Sequence, residues 1–156
     1  MIIFLDFDGV LHSHDIDDDK YLFSRVSLLW QILRGCPDVD VVFSTSWRNT
    51  YQFYELIDFV TYGGGEDLEH RFIGATPSIV REPMSNNTRA GHREQECRLW
   101  LSGNGYLKTP WIALDDMPIF FTAECPMLYL VDKNTGLTSA DVENLIARVK
   151  QKEISL

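Results

Sequence analysis

Two aspartates, Asp6 and Asp8, follow an apolar run at residues 2–5. Such runs are typical of strands buried in a parallel sheet, and ligands bind beyond the carboxyl ends of these strands. A carboxylate placed there can attack phosphorus and divide one difficult displacement into two easier steps. Asp6 is therefore a candidate nucleophile. The alternative is an ordinary turn, because Asp8-Gly9 is also a turn signal.

Asp8 lies two residues beyond Asp6, so the two side chains share one face if the extended backbone continues. A carboxyl group on that face can protonate a leaving oxygen and later take a proton from water. We therefore expect Asp6 to act as nucleophile and Asp8 as general acid and base.

Polar residues also follow two later apolar segments. The first ends in three hydroxyl residues, Ser44, Thr45 and Ser46, and the second is followed by two more acids, Asp115 and Asp116. The hydroxyl groups and a basic side chain could hold the oxygens of a transferring phosphoryl group, where charge shifts during the reaction. Without this context, the hydroxyl cluster would be interpreted as a turn or a helix cap, and Asp115-Asp116 as a turn before Pro118.

The elements that must position these residues alternate between strand and helix. Apolar runs predict strands at 2–5, 39–44, 71–75, 111–114 and 127–131. Apolar residues at helical spacing predict helices at 24–35, 53–60, 92–102 and 138–149, the first capped by Ser24 and the last by a capping box of Thr138 and Asp141. This alternation predicts an α/β fold, a three-layer Rossmann-like parallel sheet with helices on both faces.

Length and composition fit one domain over residues 1–156, with room for a small insertion or flap at 62–91. The net charge of −9 argues against a broad non-specific grip on nucleic acid, which depends on Lys and Arg. Three widely spaced cysteines indicate neither a disulfide framework nor a zinc site. With no leader or membrane-spanning run in the sequence, we expect a cytoplasmic protein.

Four motifs in this order resemble the haloacid dehalogenase (HAD) superfamily of aspartate-dependent phosphatases. They are Asp6-Phe7-Asp8-Gly9-Val10-Leu11, then Val41-Val42-Phe43-Ser44-Thr45-Ser46-Trp47-Arg48, then Arg93 at a helix start, and Ala113-Leu114-Asp115-Asp116. Three shorter runs, at 45–48, 73–77 and 135–138, resemble small members with a minimal cap, including domains of RNA repair proteins.

The resemblance implies a catalytic set of Asp6, Asp8, Thr45 and Arg93. Ser44 and Ser46 are alternatives to Thr45, and His92, Arg89 and Arg98 are alternatives to Arg93. Arg48 is either a substrate contact, an anchor for its neighbours or an exposed charge.

The resemblance also implies Mg²⁺, held by Asp6, by the Asp8 carbonyl and by Asp115 or Asp116. A cation would relieve the repulsion between clustered carboxylates. The loop at 12–20, which contains two histidines and several acids, is interpreted as a solvated segment or a flap rather than a second metal site.

The function expected from the resemblance is Mg²⁺-dependent hydrolysis of phosphate monoesters, with a phosphorylated small molecule or nucleotide as substrate. Asp8 favours phosphate over halide, because a halide leaves without a proton. Two alternatives remain: a phosphatase acting on nucleic-acid ends in repair, and a non-catalytic binding domain of the same fold.

Overall fold

The computed structural model describes residues 1–79 and 90–154, with side chains through residue 151. The strands are β1 (Ile2–Leu5), β2 (Asp40–Phe43), β3 (Phe72–Ala75), β4 (Trp111–Asp115) and β5 (Leu128–Leu130). The helices in the described ranges are α1 (Val26–Gly35), α2 (Phe53–Thr61), α3 (His92–Gly103) and α4 (Ser139–Ile154).

The strands form one sheet in the order β3-β2-β1-β4-β5, and each pairing in it is parallel. β1 lies at the centre, with Leu5 paired to Phe43 of β2 on one side and to Leu114 of β4 on the other. Parallel pairing brings the carboxyl ends of the strands to one edge of the sheet. The predicted fold class is confirmed, and the polar residues after β1, β2 and β4 meet at this edge.

Both faces of β1 are buried, which explains its unbroken apolar sequence. Ile3 and Leu5 pack in a core that also takes buried residues of α1, α2 and α4. Ile2 and Phe4 pack on the opposite face in a second core, to which α3 contributes Cys97, Trp100 and Leu101. Each large side chain buried in this way stabilises the fold by about 1.5–3 kcal/mol. The helices therefore hold β1, and with it Asp6, from both sides.

The start of α1 differs from the prediction. The residue before the helix is Arg25, which makes no side-chain capping bond, so the predicted cap at Ser24 is wrong. Phe23 adopts a left-handed backbone with φ of 57°, and the Arg25 N–H donates to the Leu11 carbonyl at 2.8 Å. A tertiary contact therefore sets where the chain turns into α1. The capping box of α4 is confirmed, since Asp141 accepts from the Thr138 backbone N–H at 2.8 Å.

The region predicted as a possible insertion begins as an ordinary connection. After α2, a short 3₁₀ helix at Glu66–Arg71 places Leu68 in the core, and β3 follows at the sheet edge. Residues 80–89, which include Arg89 and a third of the predicted insertion or flap at 62–91, lie outside the described residues. Across the described ranges, every helix falls short of the length and apolar character needed to cross a membrane.

Candidate active site

The ends of β1 and β4 bring three carboxylates together. Asp6 follows β1, and its backbone N–H donates to the Leu114 carbonyl of β4 at 3.1 Å. Asp115 is the last residue of β4 and Asp116 comes next. Each of Asp6, Asp115 and Asp116 offers one carboxylate oxygen, and these three oxygens lie within 4.8 Å of one another. All three side chains are buried, so the sheet assembles a cluster of acids with low exposure to solvent.

Gly9 leaves the space that Asp116 occupies. Its φ of +76° is in the left-handed region, and a Cβ added there would lie 2.2 Å from the Asp116 Oδ2 atom. The Asp-Gly pair after β1 is thus a turn, and that turn also makes room for the third carboxylate.

Arg93 is a cation that pairs with two of the three acids of this cluster. It lies in the first turn of α3, after Gly91, and its Nη1 donates to Asp6 Oδ2 and to Asp115 Oδ2, both at 2.8 Å. The ring of Phe120 packs 4.8 Å from its guanidinium carbon. Its buried Nε has no hydrogen-bond partner among the described residues. Arg93 therefore ties the nucleophile candidate to the end of β4 and keeps one N–H donor unused.

The pKa values of the clustered acids are raised because burial disfavours their charged forms. Burial raises the pKa of Asp6 to about 7, with Arg93 acting against the rise and Asp115 adding to it. Burial also raises the pKa of Asp115 and of Asp116 above the usual range. The pKa of Arg93 is itself raised, since the two acids outweigh the opposite effect of burial.

Asp8 has a different environment, although it is only two residues away. Its side chain is 38% exposed, and each of its carboxylate oxygens accepts one hydrogen bond. His12 Nε2 lies 2.9 Å from Oδ1, and Trp47 Nε1 donates to Oδ2 at 3.0 Å. The hydrogen bond with His12, opposed by burial and supported by Trp47, lowers the pKa of Asp8 below the usual range.

The three hydroxyl residues after β2 point in different directions. Thr45 is buried, and its Oγ1 accepts from the Trp47 backbone N–H at 3.3 Å, which caps the short 3₁₀ helix Ser46–Asn49. Ser44 is also buried, whereas Ser46 is exposed and lines the cavity beside Asp6 and Asp8.

Arg48 is held by backbone carbonyls and by one acid. Its guanidinium donates to the carbonyls of Ser44, Thr45, Thr76 and Pro77, and to Glu96 Oε2 at 2.7 Å. Glu96 is on α3, one turn after Arg93. These contacts fasten the loop after β2 to the helix that carries Arg93.

A cavity of about 460 Å³ opens above the cluster. Its lining includes Asp6, Asp8, Arg93 and Asp116 from the predicted site. The predicted residues Ser46 and Arg48 line it too. Its volume is within the range of small-molecule sites.

One comparison with known proteins gives a match. A family model described as the HAD domain in Swiss Army Knife RNA repair proteins matches residues 2–142. The chain belongs to this family. Neither the curated proteins nor the solved structures contain a match to the chain. Membership confirms the resemblance to the HAD domains of RNA repair proteins and supports a HAD-type hydrolase.

The carboxylates of this HAD domain fit a hard divalent cation. HAD domains generally use Mg²⁺, and an oxygen-only donor set is the kind that Mg²⁺ prefers. Arg93 supplies one positive charge against three buried carboxylates, so the cluster retains the negative charge that a cation would neutralise. Among the described residues this is the one grouping of three possible metal ligands, and it excludes the acids of the loop at 12–20.

Two histidines of that loop contact the site, which the sequence analysis did not predict. His12 contacts Asp8, and His14 Nδ1 lies 3.1 Å from Asp116 Oδ2. The one indication in the sequence was that both histidines follow the first motif within a few positions. A polar loop of this kind usually faces solvent, but here His12 is fully buried and the exposed His14 still reaches Asp116.

Proposed function

We propose that this HAD domain hydrolyses phosphate monoesters through a covalent aspartyl-phosphate on Asp6. The observation that carries the proposal is the buried Asp6 carboxylate at the carboxyl end of β1, joined to Arg93 at 2.8 Å and grouped with two further acids. A phosphoryl group placed in the cavity would meet the nucleophile, a guanidinium and the acid of Asp8 together.

In the first step, an Asp6 oxygen attacks phosphorus and the bond from phosphorus to the leaving oxygen breaks. Asp8 gives its proton to that oxygen, which departs as an alcohol, and the phosphoryl group remains on Asp6. In the second step, water attacks phosphorus, Asp8 takes a proton from it, and the bond to Asp6 breaks. Inorganic phosphate leaves, and both aspartates return to their starting states.

Other residues of the chain orient the phosphoryl oxygens. The unused Nε–H of Arg93 and the exposed hydroxyl of Ser46 are the donors we propose for them. Thr45 and Arg48 shape the loop that presents Ser46, since their polar groups already bond within the loop or to α3.

Mg²⁺ is the proposed cofactor. Asp6, the Asp8 carbonyl and Asp115 or Asp116 would hold it, and it would supply positive charge between the phosphate and the nucleophile. We further propose that residues 1–156 form one HAD-like domain. The three cysteines are buried and form no disulfide, which supports a reducing compartment such as the cytoplasm.

A second candidate function is removal of phosphate from RNA ends. The family description favours it, because it places such domains in RNA repair proteins. The net charge of −9 predicts that any such binding depends on the phosphorylated end rather than on a long stretch of backbone.

A substrate panel tests both candidates. Phosphate release would be measured from nucleoside monophosphates, sugar phosphates and oligonucleotides phosphorylated at the 3′ or 5′ end, with Mg²⁺ and with a chelator. We expect Mg²⁺-dependent release that Asp6→Asn abolishes and that Asp17→Asn, in the exposed loop, leaves intact. Full activity in Asp6→Asn would refute the nucleophile. The absence of turnover on the whole panel would instead support a non-catalytic domain.

A further inference from the structure

We propose that Trp47 and His12 are positioning residues that hold the Asp8 carboxyl group toward the leaving oxygen. This inference rests on the proposed function, because it assigns a geometric cause to the acid and base role of Asp8. The two side chains come from different loops, and each bonds to a different oxygen of Asp8.

The tautomer of His12 follows from its second contact. The backbone N–H of Phe23 donates to His12 Nδ1 at 3.2 Å, so Nδ1 carries no proton in the neutral ring. Nε2 then bears the hydrogen and donates it to Asp8 Oδ1 at 2.9 Å. The His12 ring is fully buried and has an edge-on contact with the Phe23 ring, which limits its rotation.

Trp47 is fixed by aromatic neighbours. Its ring lies 5.4–5.6 Å from the rings of Phe7, Phe23, Tyr51 and Phe59. Its backbone N–H is bound to the Thr45 hydroxyl. With the indole held in this way, its Nε1–H points at Asp8 Oδ2.

Asp8 needs such support because its side chain is 38% exposed. An exposed carboxyl group samples several rotamers, whereas one bonded at both oxygens keeps its plane and direction. Each oxygen has two acceptor positions, so one N–H donor per oxygen leaves a position free to carry the catalytic proton.

The test compares two substrates whose leaving groups differ in their need for a proton. An alkyl alcohol needs a proton to depart, whereas p-nitrophenolate leaves without one, so weaker positioning of Asp8 should affect mainly the alkyl ester. Trp47→Phe keeps an aromatic ring but loses the N–H. We expect kcat/KM, which reports the steps up to departure of the leaving group, to fall roughly 10- to 100-fold for an alkyl phosphate and to change less than about threefold for p-nitrophenyl phosphate. An equal loss for both esters would overturn the proposal.

The chain offers a matched control in Trp30. Its Nε1 also donates one hydrogen bond, to the Val60 carbonyl at 2.7 Å, in the α1 region away from the cavity. Trp30→Phe should leave the ratio of the two kcat/KM values unchanged. For the second donor, His12→Gln should recover most of the alkyl-ester activity that His12→Leu loses, and equal losses would exclude His12 from the positioning role.

A measurement without substrate separates this proposal from the proposed function. The indole N–H signal of Trp47, assigned by its loss in Trp47→Phe, should move upfield in the NMR spectrum of Asp8→Ala, while that of Trp30 stays in place. An unmoved Trp47 signal would overturn the contact itself. Failure of the wild type to hydrolyse any ester would refute the proposed function, and the indole signal would still decide whether Trp47 holds Asp8.

Discussion

Asp6 and Asp8 show how two identical side chains on neighbouring positions acquire opposite properties. Asp6 is buried among other acids, and its pKa is raised to about 7. Asp8 is partly exposed and accepts two N–H donors, and its pKa is lowered. The lowered pKa of Asp8 suits the proposed base that takes a proton from water, whereas the raised pKa of Asp6 means that the proposed nucleophile would need a bound cation to stay charged near neutral pH.

The raised pKa of Asp6 predicts the effect of Asp6→Asn on stability. A carboxyl group with a folded pKa above its unfolded value destabilises the fold as pH rises from about 4 through 7. In a chelator at pH 8, Asp6→Asn should therefore raise Tm by roughly 2–4 °C, and the gain should vanish near pH 4. Differential scanning calorimetry at both pH values would measure it.

Asp8→Asn is the control, and its expected change in Tm has the opposite sign. The lowered pKa of Asp8 means that the charged form stabilises the fold above about pH 4, so the variant should lower Tm at pH 8. A shift of the same sign in both variants would contradict the contrast between the two environments.

For single residues, the sequence predicted most of the positions that the ends of the strands determine. Asp6, Asp115 and Asp116 were placed together because parallel strands end at one edge. The burial of Thr45 and the exposure of Ser46 were not predictable, since a short polar 3₁₀ turn has no apolar pattern to mark its inner face. The contacts of Trp47 and His12 with Asp8 depend on packing between distant segments, which periodicity does not reveal.

The elements of the site are joined by two glutamates of α3. Glu96 bonds to Arg48 in the loop after β2, in a buried ion pair with 2.7 Å between the charged atoms. Glu94 accepts from both the backbone N–H and the hydroxyl of Thr122, beyond the turn that follows β4. Helix α3 thus fixes Arg93 and also the loops on either side of it.

The contact between Glu94 of α3 and Thr122 is expected to stabilise the fold in a pH-dependent way. Burial alone would raise the pKa of Glu94, but the hydrogen bonds from Thr122 and Arg98 outweigh it and lower the pKa to about 2. The charged form thus stabilises the fold above about pH 4.5, and this contribution is lost as pH falls toward 2. Glu94→Gln should destabilise the protein at pH 7 by roughly 2 kcal/mol and progressively less below pH 4.

Urea unfolding at pH 7 and pH 3 would check this expectation. Glu143→Gln, at an exposed position on α4, is the matched control and should change little at either pH. An equal loss of stability in Glu94→Gln at both pH values would show that the charge of Glu94 is not what joins the two segments.

The prediction of elements was accurate where the apolar pattern determines them, and it failed at the cap of α1. The strands and helices occur in the predicted order, and the α4 capping box is present. The start of α1 was placed at Ser24 because serine is a good cap, yet a backbone contact with Leu11 decides it. A contact between segments so far apart leaves no mark on local sequence.

For the whole molecule, the anionic cluster predicts that stability depends on divalent metal. Mg²⁺ that binds only the folded state stabilises it in proportion to its concentration relative to Kd. Protons compete for the same carboxylates, whose pKa values are raised. The rise in Tm with Mg²⁺ should therefore be larger at pH 7.5 than at pH 5, as measured by thermal unfolding with and without a chelator.

Asp115→Asn is the variant that tests the origin of this effect. It removes one of the three clustered carboxylates while keeping an acceptor for Arg93. Its Mg²⁺-dependent rise in Tm should be much reduced, and an undiminished rise would place the responsible ion elsewhere on the molecule.

The central position of β1 affects how the protein is made. Its first strand residue, Ile2, must pair with Asp40 on one side and with Trp111 on the other. At about 5–20 residues per second, a ribosome would need roughly 5–20 s to add the segment that separates β1 from β4. During this interval one edge of an apolar strand stays open to other nascent chains. Chaperone demand and aggregation in cells should therefore depend on the rate of translation before β4 emerges.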